Sequence, residues 1–264
     1  MSYETVKWEK EGGVGRIVLD RPETLNAWNT QLGEDLRSAV AEAAADESIR
    51  AVLVTATGRA FSSGADIKAG FEESSEDGLP DIRGRLDGLF HPSLVGVRTM
   101  DKPVVVAVNG PAAGIGASLA LAGDLVLAAE SAFFQLAFVN IGLMPDGGST
   151  LFVPARVGKA RAFEMALLGE RVPAAQALDW GLVNAVHPDA ELPGAAAELA
   201  ARLAAGPTRA YAAAKRALNA SIYPNLAPQL NLEADLQHQL ARTQDFVEGG
   251  MAFVEKRAPR FQGR

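Results

Sequence analysis

The chain predicts an α/β protein with a buried, largely parallel sheet and a helical C-terminal region. Three observations support this. Short apolar runs at residues 14–20, 51–55, 104–108 and 125–129 alternate with helical patterns, as βαβ units do. Two junctions are glycine turns, Phe61-Ser62-Ser63-Gly64-Ala65-Asp66-Ile67-Lys68 and Asn109-Gly110-Pro111-Ala112-Ala113-Gly114-Ile115-Gly116. From about Gly158 onward the pattern turns helical and alanine-rich.

Taken in order, residues 14–20 read as a strand, Arg21-Pro22 opens a loop, and residues 30–45 read as an amphipathic helix. Residues 51–55, 104–108 and 125–129 are short apolar strands. Residues 71–80 collect Glu72, Glu73, Glu76 and Asp77 with two serines and a glycine. That is a solvated loop; its length beside a glycine turn suits a lid, and a plain surface loop is an equally good reading. Helices are expected over 192–205, 207–220, 230–244 and 248–255. The switch after Asp189 divides the chain into an expected core domain, 1–189, and a helical C-terminal region, 190–264, with no flexible linker between them and no internal repeat.

Composition narrows the function. A chain of 264 residues, 48% apolar, can bury the core of one large domain. A net charge of −7 argues against a non-specific nucleic-acid binder, which needs a basic face. With no cysteine there is no disulfide, thiolate metal site or cysteine nucleophile. His91, His187 and His238 are scattered without metal-ligand spacing, so no metal is expected. Residues 103–123 carry no charge and are long enough to raise the question of a membrane span, but Asn109, Pro111 and four glycines interrupt them. A buried strand, turn and helix fit better. Met1-Ser2-Tyr3-Glu4 lacks the basic start of a signal peptide, so the expected location is the cytoplasm, away from membranes.

The two glycine turns carry the chemistry. Each follows an apolar strand and precedes a helix, so each can aim a free backbone N–H into a common pocket. Two such donors on one oxygen form an oxyanion hole, suited to a thioester or similar carbonyl. The plainer alternative is that both turns merely end strands.

The motif order extends further. Arg21-Pro22-Glu23-Thr24-Leu25-Asn26-Ala27 precedes the first turn. Gly142-Leu143-Met144-Pro145-Asp146-Gly147-Gly148, residues 174–186 and Phe253-Val254-Glu255-Lys256-Arg257 follow the second. Over nearly the whole chain this order resembles the crotonase superfamily of enoyl-CoA hydratases and isomerases. In motif it is most similar to the enoyl-CoA isomerase and ring-epoxide phenylacetyl-CoA isomerase branch. The resemblance implies a ClpP-like ββα spiral with a helical C-terminal region used in trimerisation, as a homotrimer or a dimer of trimers. It implies a coenzyme A thioester as substrate and no separate cofactor. It assigns the oxyanion N–H groups to Ala65 and Ile115, with the helix beginning near Gly116 adding its positive N-terminal end. Relatives usually carry glycine at the Ile115 position; isoleucine keeps the N–H but does not comfortably hold a positive φ, so the turn must use an ordinary backbone region there. Ser63, Asp66, Ile67, Lys68 and Gly114 flank these donors as candidate substrate-binding residues. Asp66 also reads as a cap for a short helix after the turn. The resemblance places Phe253 and Lys256 near the coenzyme A of a neighbouring subunit, and Lys68, Lys256 and Arg257 offer local positive charge; a solvated last helix is the alternative.

Hydratases of this family use two glutamates, and the matching positions carry Ser118 and Phe138. Serine is no base near neutrality and phenylalanine has no ionisable group, so efficient two-glutamate hydration is not expected. Weak hydration through a Ser118-held water stays open. Asp146 matches the position of the catalytic acid in related isomerases, and isomerisation needs one such group. An apolar wall at Phe138 would keep water out and favour a basic aspartate. A helix N-cap is the competing role for Asp146, because Gly-Gly-Ser-Thr follows it. His91 adds an alternative: dehalogenases of aryl-CoA thioesters pair a nucleophilic aspartate at the Asp146 position with a histidine at the His91 position. They carry tryptophan where this chain has Phe138. A non-catalytic acyl-CoA binder completes the set of readings. His187 and His238 read as ordinary surface or satisfied residues.

Overall fold

A computed structural model describes residues 3–67 and 80–264. Lys68 and all of the acidic loop except Pro80 lie outside the described residues. The strands are β1 (Val6–Glu11), β2 (Val14–Leu19), β3 (Ala51–Ala56), β4 (Val104–Val108), β5 (Ala112–Ala113), β6 (Leu125–Ala129), β7 (Phe133–Gln135), β8 (Val172–Pro173) and β9 (Ala185–His187). The helices are α1 (Thr30–Ala45), α2 (Ile82–Arg85), α3 (His91–Thr99), α4 (Ile115–Ala122), α5 (Ser149–Leu168), α6 (Ala174–Asp179), α7 (Leu192–Ala204), α8 (Thr208–Ile222), α9 (Leu226–Leu240) and α10 (Gln244–Glu255).

Six strands form the main sheet in the order β1-β2-β3-β4-β6-β9. β1 and β2 are an antiparallel hairpin turned at Gly12 and Gly13, both at positive φ. Every later pairing in this sheet is parallel. β4 is buried along its whole length, as an uninterrupted Val-Val-Val-Ala-Val run requires. Besides the three-residue β9, the strand of this sheet missing from the sequence reading is β1. Lys7, Glu9, Lys10 and Glu11 mask its alternation, and such charge is how an edge strand avoids pairing with other chains.

α1 packs against β2 and α3, and α7 lies on β3 and β4. The α7 face is Ala196, Ala200 and Ala204, all buried, and these small side chains let the helix sit close to the strands. α7 opens the helical region that begins after Asp189, and it packs into the same core as the sheet. α9 and α10 start four residues earlier than the sequence reading. Pro228 lies in the first turn of α9, where its missing N–H costs nothing, and Thr243 caps α10 by accepting from Phe246 N. α8 is fastened by Lys215, which donates to Val97 O and Lys102 O at 3.0 and 3.1 Å and pairs with Asp124 at 2.8 Å.

The uncharged stretch divides into β4, β5 and the eight-residue α4. No helix among the described residues is long and apolar enough to cross a membrane. β5, β7 and β8 form a second, three-stranded sheet. Its strands have two or three residues each, too short for a periodicity to register.

The loops after β3 and β4 are laced together where Phe61 N and Ser62 N both donate to Pro111 O, at 3.0 and 3.1 Å. A Cβ on Gly110 would overlap the Arg59 carbonyl oxygen in that contact. Because the obstacle is backbone, Gly110→Ala is expected to destabilise the fold by about 1–3 kcal/mol, lowering Tm by a few degrees in a thermal melt. An unchanged Tm would show that the loops separate freely.

Candidate active site

The first glycine turn is held by its backbone. Trp28 N donates to Gly64 O at 2.8 Å and Asp66 N donates to Trp28 O at 2.9 Å. In this parallel bridge the intervening Ala65 directs its own N–H the other way. Ser62 Oγ donates to Asn26 O and accepts from Gly64 N. Asn26, buried at φ +54°, donates from Nδ2 to Thr57 O and Ala60 O and accepts from Arg21 N. Arg21 also donates to Ala27 O and pairs with Asp66 at 3.3 Å. The Arg-Pro…Asn-Ala motif is thus the scaffold of the first turn. Any helix that Asp66 would cap lies in residues outside those described.

The second turn sits against the first. Ala113 N donates to Ser62 O at 2.9 Å, and Gly114 N donates to Gln135 O at 3.0 Å. A Cβ on Gly64 would come within 3.0 Å of Ala113 O, so Gly64 serves a close backbone approach, whereas one on Gly114 would meet Gly64 Cα at an ordinary 3.7 Å and it is the positive φ there that asks for glycine. Gly114 takes the positive φ, +51°, and Ile115 does not. The side chain expected to resist a left-handed turn therefore sits in ordinary helical backbone as the first residue of α4. Neither Ala65 N–H nor Ile115 N–H has a partner among the described residues. Phe138 closes one side, its ring 3.8 Å from where a Gly114 Cβ would stand.

Asp146 precedes α5 and is buried. A Cβ on Gly147 would meet Leu94 and Ser118 within 3.0 Å, so the Pro145-Asp146-Gly147-Gly148 turn packs against the first turn of α4 and against α3. The Asp146 carbonyl oxygen accepts from Ser118 Oγ and Ser149 Oγ, both at 2.8 Å. Ser118 therefore commits its proton to the backbone that carries Asp146. The Asp146 side chain does not cap α5. The N-cap residue is Gly148, with no side-chain bond, and the carboxylate of Glu233 on α9 accepts from Gly148 N at 2.7 Å, Thr150 N at 3.2 Å and Thr150 Oγ1. Asp146 Oδ2 accepts from Gln237 Nε2 at 2.6 Å, while Oδ1 is buried with no partner among the described residues. Burial, opposed by the Gln237 hydrogen bond and reinforced by the charge of Glu233, pushes the Asp146 carboxyl up to about 8. Burial likewise raises Glu233 to about 7, against its hydrogen bonds to Thr150 and Gly148.

His91 is the first residue of α3 and is buried. Its Nδ1 lies 3.5 Å from Asp87 Oδ1, and its Nε2 has no partner among the described residues. Burial lowers its pKa although Asp87 opposes this, which disfavours the charged ring. Leu94, one turn further along α3, brings this helix to Gly147. Ser63 is exposed, with Oγ donating to Thr24 O, and Ile67 is half-buried. Phe253 and Lys256 are exposed on and just after α10. Arg257 is engaged by Glu248 and Glu255, so it offers less free charge than the sequence promised.

Glu233 and Gln237 are the residues that the sequence reading missed. They share the buried face of α9 with Leu230 and Ala234. Two polar residues four apart, in phase with apolar neighbours, were the available signal.

With this geometry in view, the comparisons are direct. The family model described as enoyl-CoA hydratase/isomerase matches residues 9–264. A probable enoyl-CoA hydratase of Rhodobacter capsulatus is 44% identical over 264 residues, covering 100% of both chains. The 1,2-epoxyphenylacetyl-CoA isomerase of Escherichia coli is 39% identical, covering 96% of this chain and 97% of that protein. The crystal structure of an enoyl-CoA hydratase from Mycobacterium avium subsp. paratuberculosis superposes with a TM-score of 0.89 at 41% identity, covering 99% of this chain and 100% of that one. The chain belongs to the enoyl-CoA hydratase/isomerase family, within the crotonase superfamily, and has the crotonase fold.

The raised carboxyl has a sign that can be checked. Folded Asp146 holds its proton up to about pH 8, whereas the unfolded group releases it near 3.8. Its contribution to stability is therefore complete below pH 3.8 and is lost as pH rises toward 8. Asp146→Asn removes this loss. The Tm of that variant relative to wild type is expected to climb by about 3 °C or more between pH 5 and 9 in paired thermal melts. A constant offset would contradict the raised pKa.

Proposed function

We propose that this family member isomerises the double bond of an enoyl-CoA, with Asp146 as its single acid/base. One observation carries the reading. Asp146 is a buried carboxyl packed beside the second glycine turn, and its Oδ1 has no partner among the described residues; Ser118 and Phe138 stand where the resemblance places the family's two glutamates. In the proposed reaction, Asp146 Oδ1 takes a proton from C2 of a 3-enoyl thioester. The C–H electron pair moves into the conjugated system and places negative charge on the thioester oxygen. The N–H groups of Ala65 and Ile115 hold that charge; losing one such donor typically costs about 3–4 kcal/mol of transition-state stabilisation. Asp146 then returns the proton to C4, leaving the double bond between C2 and C3 and no net change of atoms. A pKa near 8 matches this two-way transfer, because the group must both take and give a proton near neutrality. Phe138 keeps the pocket wall apolar and supplies no group to activate water.

The relative named 1,2-epoxyphenylacetyl-CoA isomerase supports the isomerase branch for this chain. Hydration remains a competing activity because another relative is named a probable hydratase. A further reading pairs nucleophilic Asp146 with His91 on an aryl-CoA, favoured by the buried His91 Nε2, which has no partner among the described residues. In our reading the coenzyme A is met by Ser63, Asp66, Ile67, Lys68 and Gly114, and by Phe253 and Lys256 of a neighbouring subunit. Exposed Leu218, Ile222, Leu232, Val247 and Met251 on α8, α9 and α10 supply apolar surface for a homotrimer or dimer of trimers. We place the enzyme in the cytoplasm.

The test is conversion of a 3-enoyl-CoA to the conjugated 2-enoyl thioester by wild type and by Asp146→Asn. Wild type is expected to convert it, and the variant to lose about 10²–10⁴-fold in kcat. No conversion by wild type across short and long chains would move the assignment to aryl-CoA chemistry. Absence of solvent-deuterium exchange at the α-carbon as well would leave an acyl-CoA binder.

A further inference from the structure

We propose that Gln237 is a positioning residue for Asp146, tying Oδ2 so that Oδ1 alone is left to exchange the substrate proton. The inference rests on the reading of Asp146 as the acid/base and names what holds it.

The geometry leaves Gln237 no freedom. Its Oε1 accepts from Met144 N at 3.2 Å, and its Nε2 donates to Asp146 Oδ2 at 2.6 Å. Flipping the amide would set Nε2 against the Met144 N–H and Oε1 against the carboxyl. A backbone N–H cannot reverse its role, so the orientation is settled by the main chain. Gln237 is buried and therefore has no water to exchange with. One turn earlier on the same helix, Glu233 takes the amides of Gly148 and Thr150. α9 thus grips the turn on both sides of Asp146: Met144 and Asp146 through Gln237, Gly148 and Thr150 through Glu233.

The carboxyl is thereby split into unequal oxygens. Oδ2 is occupied, and Oδ1 is buried with no partner among the described residues. A carboxyl that rotated freely would present either oxygen and would lose the fixed angle between base and carbon acid. The surroundings of Asp146 contain few charges. From α9 the ionisable group acting on it is Glu233. The α4 neighbours of the turn, Ile115 and Ser118, are uncharged, as is Leu94 of α3, and burial disfavours the charged form of His91 on α3. A hydrogen bond to Oδ2 favours the charged form, so Gln237 also opposes the rise that burial causes.

The experiment compares wild type with Gln237→Met and Gln237→Glu, following kcat, KM and the pH profile of 3-enoyl-CoA isomerisation, with a thermal melt of each protein. Gln237→Met keeps the length and removes the donor. Its kcat is expected to fall about tenfold or more with KM within about threefold, and the rising limb of kcat/KM to move up by about one pH unit. Gln237→Glu keeps an acceptor for Met144 N–H but faces Asp146 with a second carboxyl, and should move the limb further up. If Gln237→Met does not fold, Gln237→Glu decides alone. An unmoved limb in the folded variants overturns the proposal, even if kcat falls, because a merely structural loss scales activity without changing the titration. Asp146→Asn separates the two levels. If that variant keeps full isomerase activity, the acid/base reading fails and takes this inference with it. If it is inactive and the Gln237 variants behave as wild type, only the inference fails.

Discussion

The site depends on two peptide segments approaching closer than side chains would allow. Ala113 N reaches Ser62 O while Gly64 and Gly114 face each other with no Cβ between them. This contact joins the loop after β3 to the small second sheet, and it leaves two main-chain N–H groups, at Ala65 and Ile115, without partners among the described residues. Unsatisfied donors are normally a cost to folding. Here the cost is borne by a network of other bonds, through Asn26, Ser62 and Trp28, that pins each turn independently of those two N–H groups. Both N–H groups are therefore held in place by the fold itself.

A second constraint is the burial of two carboxyls at one helix start. The N-terminal end of α5 favours negative charge, and its amides are taken by Glu233 from a distant helix. Asp146, two residues before the N-cap, gains none of that stabilisation through its side chain. It is bound once, by Gln237, and otherwise buried. Burial raises both groups, Glu233 to about 7 and Asp146 to about 8; three hydrogen bonds oppose the rise at Glu233, while one opposes it at Asp146 and the charge of Glu233 adds to it. The division suits their places: one carboxyl supports the helix, the other is left basic with an open oxygen.

Much of the architecture could be read along the chain because its signals are local. α1, β4 and β6 fall where apolar periodicity put them. The paired glycine turns pointed to backbone donors because each follows an apolar strand and precedes a helix, although ending a strand would by itself explain either turn. The reading failed where the signal was masked or too short. Charges disguised β1, and the strands of the second sheet are too brief to alternate. Gln237 escaped because a glutamine on a helix has no meaning until its partner is known. Ser118 was legible as a missing glutamate, but its bond to the Asp146 carbonyl was not.

The sequence by itself determined the fold class and the family pattern, and it named the candidate chemical groups: two backbone donors, one aspartate, and no glutamate pair. These are encoded in residues close in the chain, where periodicity and turn chemistry act. Only the tertiary structure decided the state of the aspartate. Its single bond to Gln237, the nearby charge of Glu233 and its freedom from capping α5 come from a helix more than eighty residues away, and the turn that carries it packs against α3 and α4 as well. A carboxyl's basicity depends on the solvent it loses and the partners it meets, and both are properties of packing.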